Sequence, residues 1–226
     1  MVSYTSERLN RRAFFDAVRA KPFGSLSADQ VKGLGAILDQ WETRGLTDLR
    51  FLAYMLATAF HETARTMLPI KELGGRAYFM KMYDKTGSRP NVAANLGNTE
   101  VGDGALFCGR GYVQLTGRAN YAKASKKLGQ DFVGKPDLVM DPGHAAQIMF
   151  AGMTEGWFTG KKLADYFSGA KGDWKNARRI INGLDKADTI AGYGKAFYGA
   201  LLDAEGSPLT QAVRPDPGLT EPEPPP

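Results

Sequence analysis

The sequence predicts a mainly α-helical domain whose helices are interrupted by one long irregular segment. Three observations predict it. Apolar residues recur at helical spacing on both sides of the chain's middle, helix-starting residues precede several of those stretches, and residues 71–118 turn glycine-rich and polar. With 43% hydrophobic residues in 226, the chain can build one well-packed core. A single domain over 1–205 and an extended tail over 206–226 follow.

The first helix is expected over 28–41. Ser27 and Gln30 have the spacing of a capping box, and Val31, Leu34, Ile37, Leu38 and Trp41 share one face. A second begins near Thr47 and Asp48 and runs through FLAYMLATAFHETA, apolar nearly all round and therefore a buried central helix that must end before Pro69. Residues 71–118 read as a long ordered loop region, a kind of segment that usually carries function. Helices resume over 120–128 and over 141–157, where Asp141-Pro142 supplies an N-cap and a first-turn proline. Two more are expected over 174–182 and 187–203. The final 13 residues hold six of the twelve prolines, which excludes a packed helix or sheet there.

Composition narrows the chemistry. Cys108 is the single cysteine, so no internal disulfide can form, and His61 and His144 are too few for a histidine-based zinc site. No metal and no cofactor is expected. No stretch approaches the roughly 20 apolar residues of a membrane span, and the first residues lack a secretory signal's apolar core, so a soluble protein made in the cytoplasm is expected. The net charge of +5 is uneven: residues 203–226 carry −4, which leaves +9 on the rest. A basic body is drawn to polyanions, but no nucleic-acid-binding motif accompanies it, and the pairs Arg11-Arg12, Lys126-Lys127, Lys161-Lys162 and Arg178-Arg179 read as solvated surface or as attraction to an anionic envelope.

Glu62 closes the buried helix where the chain enters the loop region. A carboxylate there is costly unless it is paired, for example with Arg65 one turn on, or employed as a general acid. Glycosidic hydrolysis needs such an acid and a second carboxylate that activates water. Glu72, Asp84, Glu100 and Asp103 are the candidates, with Glu72 favoured because it follows Pro69 closely enough to turn back toward the helix end. In CGRGYVQLTGRANY, glycines allow close backbone approach, and Gln114, Thr116 and Asn120 offer the polar groups a sugar requires. Among the aromatic residues Tyr78 and Tyr112 are favoured for stacking on sugar rings, whereas Trp157 and Trp174 read as core and Cys108 as a small buried hydrophobe.

The ordered series AFHET, GRGYVQLTGRANY and RRIINGLD, over roughly residues 50–200, resembles the chitinase-like glycoside hydrolase family 19, which includes bacteriophage endolysins. The resemblance implies a two-lobed, lysozyme-like α-helical fold around a central cleft and an inverting, cofactor-free reaction. It implies that Glu62 is the general acid, that Gln114, Asn120 and Asn182 face substrate, and that Thr116 helps hold the attacking water. His61 falls on the substrate side beside the acid. PIKE after HET resembles the phage-type relatives and assigns the base to Glu72; plant chitinases carry theirs nearer Asp84. Lacking the plant enzymes' disulfides, the chain is expected to be a monomeric endolysin that cuts the muramic acid–glucosamine bond of peptidoglycan, reaching the wall from the host cytoplasm after the inner membrane is permeabilised. The alternatives are a chitinase and a non-catalytic glycan-binding module.

Overall fold

The computed structural model describes residues 9–205; the proline-rich tail expected over 206–226 lies outside them. Helix α1 (Arg11–Val18) has no counterpart in the sequence reading. Asn10 caps it by accepting the amide of Ala13 at 3.1 Å, and Phe14 and Val18 are its buried face.

Helix α2 (Ala28–Arg44) starts as expected, with the Ser27 hydroxyl accepting from Gln30 N and Gln30 Oε1 accepting from Ser27 N, and it stops at Gly45 in the left-handed conformation. Leu34, Ile37, Leu38 and Trp41 are buried, while Val31 lies at the edge of the stripe and stays exposed. Helix α3 (Leu49–Glu62) begins on an Asp48 cap and is buried without a break from Leu52 to Phe60. It is the central helix its all-round apolarity predicts.

Helix α9 (Ala187–Glu205) lies along α3, and α1 packs on α9. At that seam Phe60 meets Phe23, Tyr193 and Phe197 with ring centroids 4.8–5.7 Å apart. Helix α8 (Pro142–Glu155) starts at the Asp141 cap with Pro142 in its first turn and packs on α2. Helix α7 (Arg118–Leu128) joins it.

The loop region differs from expectation. It contains three short helices, α4 (Arg76–Tyr83), α5 (Pro90–Asn95) and α6 (Asp103–Leu106), and β1 (Ile70–Lys71) pairs antiparallel with β2 (Arg110–Gly111). Few of its side chains are buried and apolar, so polar groups organise it. Asp84, fully buried, accepts from Thr86 N and Oγ1, Gly102 N and Gly104 N. Arg118 grips Asp103 with two bonds of 2.7 and 2.5 Å. Asn98 ties the Arg118 amide to the Tyr83 carbonyl.

The helix expected over 174–182 is also corrected: a 3₁₀ turn, Asn176–Ile180, stands there, after a hairpin of β3 (Phe167–Ser168) and β4 (Lys171–Gly172). Trp174 is packed against Phe167 and Tyr198, as its reading as core implies.

Candidate active site

Glu62 is the last residue of α3, and its side chain is about one-fifth exposed. Its partner is Arg178, not Arg65: Arg178 Nη1 donates to Glu62 Oε1 at 2.5 Å, while the Arg65 guanidinium lies over the Phe60 ring. Arg178 is 5% exposed and also donates through Nε to the carbonyl of Asp185. Its reading as surface charge is therefore corrected. Glu62 Oε2 has no hydrogen bond to the described residues, which leaves that oxygen available to a ligand.

The backbone after Glu62 is bent sharply. Ala64, Arg65 and Met67 all have φ between 49° and 70°, a conformation that costs L-residues about 1 kcal/mol or more each. Thr63 holds the bend, since its hydroxyl donates to Ala59 O and accepts from Met67 N. The third residue of HET thus fixes where the second one points.

A second group forms around Gly109. Glu72 follows β1 and is doubly held: Tyr83 Oη donates to its Oε1 at 2.7 Å and Gly109 N to its Oε2 at 3.2 Å. Gln114 sits at φ +52°, with its amide nitrogen donating to Ile70 O and Gly111 O. Thr116 Oγ1 donates to Gln114 O, and Asn120 donates to Thr116 O. A methyl group on Gly109 would come within 2.7 Å of Gln114 Oε1, 3.1 Å of Glu72 Oε2 and 3.2 Å of Thr116 Oγ1. The side-chain oxygens of Glu72, Gln114 and Thr116 thus gather against one face of Gly109, closer than any side chain there would allow; a carboxylate, an amide and a hydroxyl so grouped are the polar partners a water needs.

Because Gly109 does not need a positive φ, alanine fits its backbone, but its methyl would push the ends of the Gln114, Glu72 and Thr116 side chains apart. Gly109→Ala is expected to lower kcat about 100-fold while the melting temperature changes little. Steady-state kinetics beside a thermal melt checks this; an unchanged kcat in the folded variant would show that this grouping is idle.

The other predicted residues divide. Asn182 is exposed in the turn after Arg178, with its backbone amide donating to Arg178 O and its Oδ1 accepting from Gly183 N. His61 is partly exposed next to Glu62 and its ring makes no hydrogen bond to the described residues, and Tyr78 is 43% exposed on α4. Tyr112 is corrected: it is fully buried, its hydroxyl reaches Gly33 O, and burial pushes its phenol up, so it cannot stack on a ligand.

Asp84 is committed to the loop region rather than open to a ligand. Burial alone would raise its pKa, but the bonds from Thr86, Gly104 and Gly102 outweigh burial and hold it below the usual carboxylate range, with its lone pairs spent inside the loop region. Cys108 is buried and its thiol is pushed up by burial, in keeping with a small core residue. Sequence reasoning missed Arg178 and Tyr83. The signal for Arg178 was its place in RRIIN, between the buried Ala177 and Ile180; nothing local marked the Tyr83 contact.

Among the described residues, no group of three His, Cys, Asp or Glu side chains could hold a metal ion, and no helix is long and apolar enough to cross a membrane. A hollow of about 880 Å³ between α2, α7 and α8 contains none of the candidate site residues.

The family described as chitinase class I matches residues 27–195. The acidic 27 kDa endochitinase of Solanum lycopersicum is 56% identical over 36 residues, 16% of this chain and 15% of that protein. Chitinase 8 of Oryza sativa subsp. japonica is 58% identical over 33 residues, 15% and 13% of the two chains. The matched stretches thus span well under a fifth of the length of these curated relatives. Chitinase C from Streptomyces griseus HUT6037 superposes with a TM-score of 0.57 at 21% identity, covering 90% of this chain and 80% of its own. A bacterial family 19 chitinase superposes with a TM-score of 0.52 at 20% identity, covering 90% and 99%. These likenesses show the expected mainly α, lysozyme-like fold.

Proposed function

We propose that this chain, which belongs to glycoside hydrolase family 19, the class I chitinases, hydrolyses β-1,4 bonds between N-acetylated hexosamines, with chitin-type N-acetylglucosamine polymers as its first substrate. The expectation that peptidoglycan comes first gives way, because the matching family and both curated relatives carry chitinase descriptions. The single observation that carries the reaction is the pair of unlike carboxylates. Glu62 is held on one oxygen by Arg178, and Glu72 is held on both and gathers with Thr116 and Gln114 at Gly109.

The roles follow from these surroundings. Glu62 Oε2 delivers a proton to the oxygen of the leaving sugar, and Arg178 stabilises the carboxylate that remains once the proton has gone. Glu72 takes a proton from a water held with Thr116 as that water attacks the anomeric carbon from the opposite face. One water is consumed, the glycosidic bond breaks and the configuration inverts. Inversion of this kind places the two carboxyls about 6.5–9.5 Å apart. No cofactor enters the scheme.

Peptidoglycan is the second reading, favoured by the +9 charge on residues 1–202, which suits an acidic polymer. Host lysis and delivery from the cytoplasm belong to that reading alone. Parallel digestion of chitin oligomers and purified peptidoglycan, with mass spectrometry of the new reducing ends, tests the order. N-acetylglucosamine ends from chitin, formed at least about tenfold faster than any ends from peptidoglycan, are expected. Muramic acid ends formed faster would transfer the assignment to the wall polymer, and cleavage of neither by the folded protein would leave a glycan-binding module.

A further inference from the structure

Tyr83 ends α4, and three constraints fix it. Its carbonyl accepts from Asn98 Nδ2 at 2.8 Å, its ring stacks on Phe79 at 6.4 Å with 17° between planes, and the next residue is the buried Asp84 that anchors the loop region. The hydroxyl so placed donates to Glu72 Oε1 at 2.7 Å. Asn98 in turn accepts from the amide of Arg118, whose guanidinium grips Asp103. A polar chain across the loop region therefore ends on the Glu72 carboxylate.

We infer that Tyr83 is a positioning residue for Glu72: its hydroxyl occupies one carboxylate oxygen so that the other, held by Gly109 N, is presented to the water in a single orientation. This rests on Glu72 being the base. A phenol that stays protonated is the donor required. Burial first, and then the bond to Glu72, push the Tyr83 phenol well above its ordinary value.

Other charged or titratable groups near Glu72 do not supply the same effect. Tyr78 and Arg89 act on the Tyr83 phenol, and Lys71 and Arg110 act, with Glu72, on the Cys108 thiol. A thiol and a phenol stay neutral, and lysine and arginine stay cationic, throughout the range in which a carboxylate titrates.

The sign follows. Donation to a carboxylate favours its charged form, so loss of the hydroxyl is expected to move the acid limb of the rate profile to higher pH. The test is the pH dependence of kcat and KM on a chitin oligomer for wild type, Tyr83→Phe and Glu72→Gln, with thermal melts of each. In Tyr83→Phe, which keeps the stack on Phe79, the acid limb of kcat/KM is expected to move up by about one pH unit, with kcat about tenfold lower on that limb and KM within about twofold. Phe79→Leu, which removes the ring behind Tyr83 but keeps the hydroxyl, is expected to give a smaller shift of the same sign and serves should Tyr83→Phe not fold.

A limb that stays in place in the folded variants, or a rise in KM alone, would overturn the inference while leaving the base assignment intact if Glu72→Gln is inactive. Full activity in Glu72→Gln would instead remove the base assignment itself, and the inference with it.

Discussion

Glu62→Gln is expected to lower kcat on chitin oligomers by about 1,000-fold or more, with KM within a few-fold of wild type. General acid catalysis contributes about 10²–10⁴-fold, and an amide cannot give a proton to the leaving oxygen. The variant should fold normally, because Gln can still accept the Arg178 bond through its carbonyl oxygen while keeping the volume of Glu62 at the end of α3. Single-turnover and steady-state rates beside a thermal melt check both halves. Retention of more than about a tenth of wild-type kcat would mean that another group donates the proton. A collapse of the melt would show that the carboxylate is chiefly structural.

Arg178→Ala is the second large effect, and it should appear in stability as well as rate. Arg178 is 5% exposed, and its bonds tie α3 to the 3₁₀ turn and to the 182–186 segment. Removing one member of a mostly buried pair leaves the other charge without its partner, which costs on the order of 3 kcal/mol. The same change removes the cation that stabilises Glu62 after proton transfer, so kcat is expected to drop by about 100-fold in whatever fraction remains folded. Arg178→Lys should not restore activity fully, since a lysine cannot bond Glu62 and Asp185 O through a rigid fork. Chemical denaturation and kinetics on the two variants check this. An Arg178→Ala protein as stable and as active as wild type would refute the pairing.

What could be read from the sequence was local. Ser27 with Gln30, Asp48, and Asp141 with Pro142 each announce a helix start through a bond made within three residues, and all three are present. The all-round apolarity of FLAYMLATAF was enough to place α3 in the core. Glu62, Glu72, Gln114 and Thr116 were found by residue type and order, and the last three do meet, around Gly109.

What escaped depends on partners distant in the chain. Helices α4–α6 lack side-chain caps and are held by Asp84, Asn98 and Arg118, bonds that no window of sequence displays. The Glu62–Arg178 pair spans 116 positions, and Tyr83 reaches Glu72 from the far end of a helix that the glycine-rich texture concealed. Tyr112 was misplaced for a related reason: after the two-residue strand Arg110–Gly111, the chain turns its next side chain inward toward Gly33.

The central claim is that two carboxylates act on opposite faces of one glycosidic bond, Glu62 as acid and Glu72 through a water. Proton NMR of a chitin oligomer during the first minutes of hydrolysis tests it most directly, because the anomeric signals are read before mutarotation mixes them. The account predicts that new reducing ends appear first as the α-anomer, inverted from the β-linked substrate. Initial formation of the β-anomer would mean retention, and would contradict an attack by water held at Glu72.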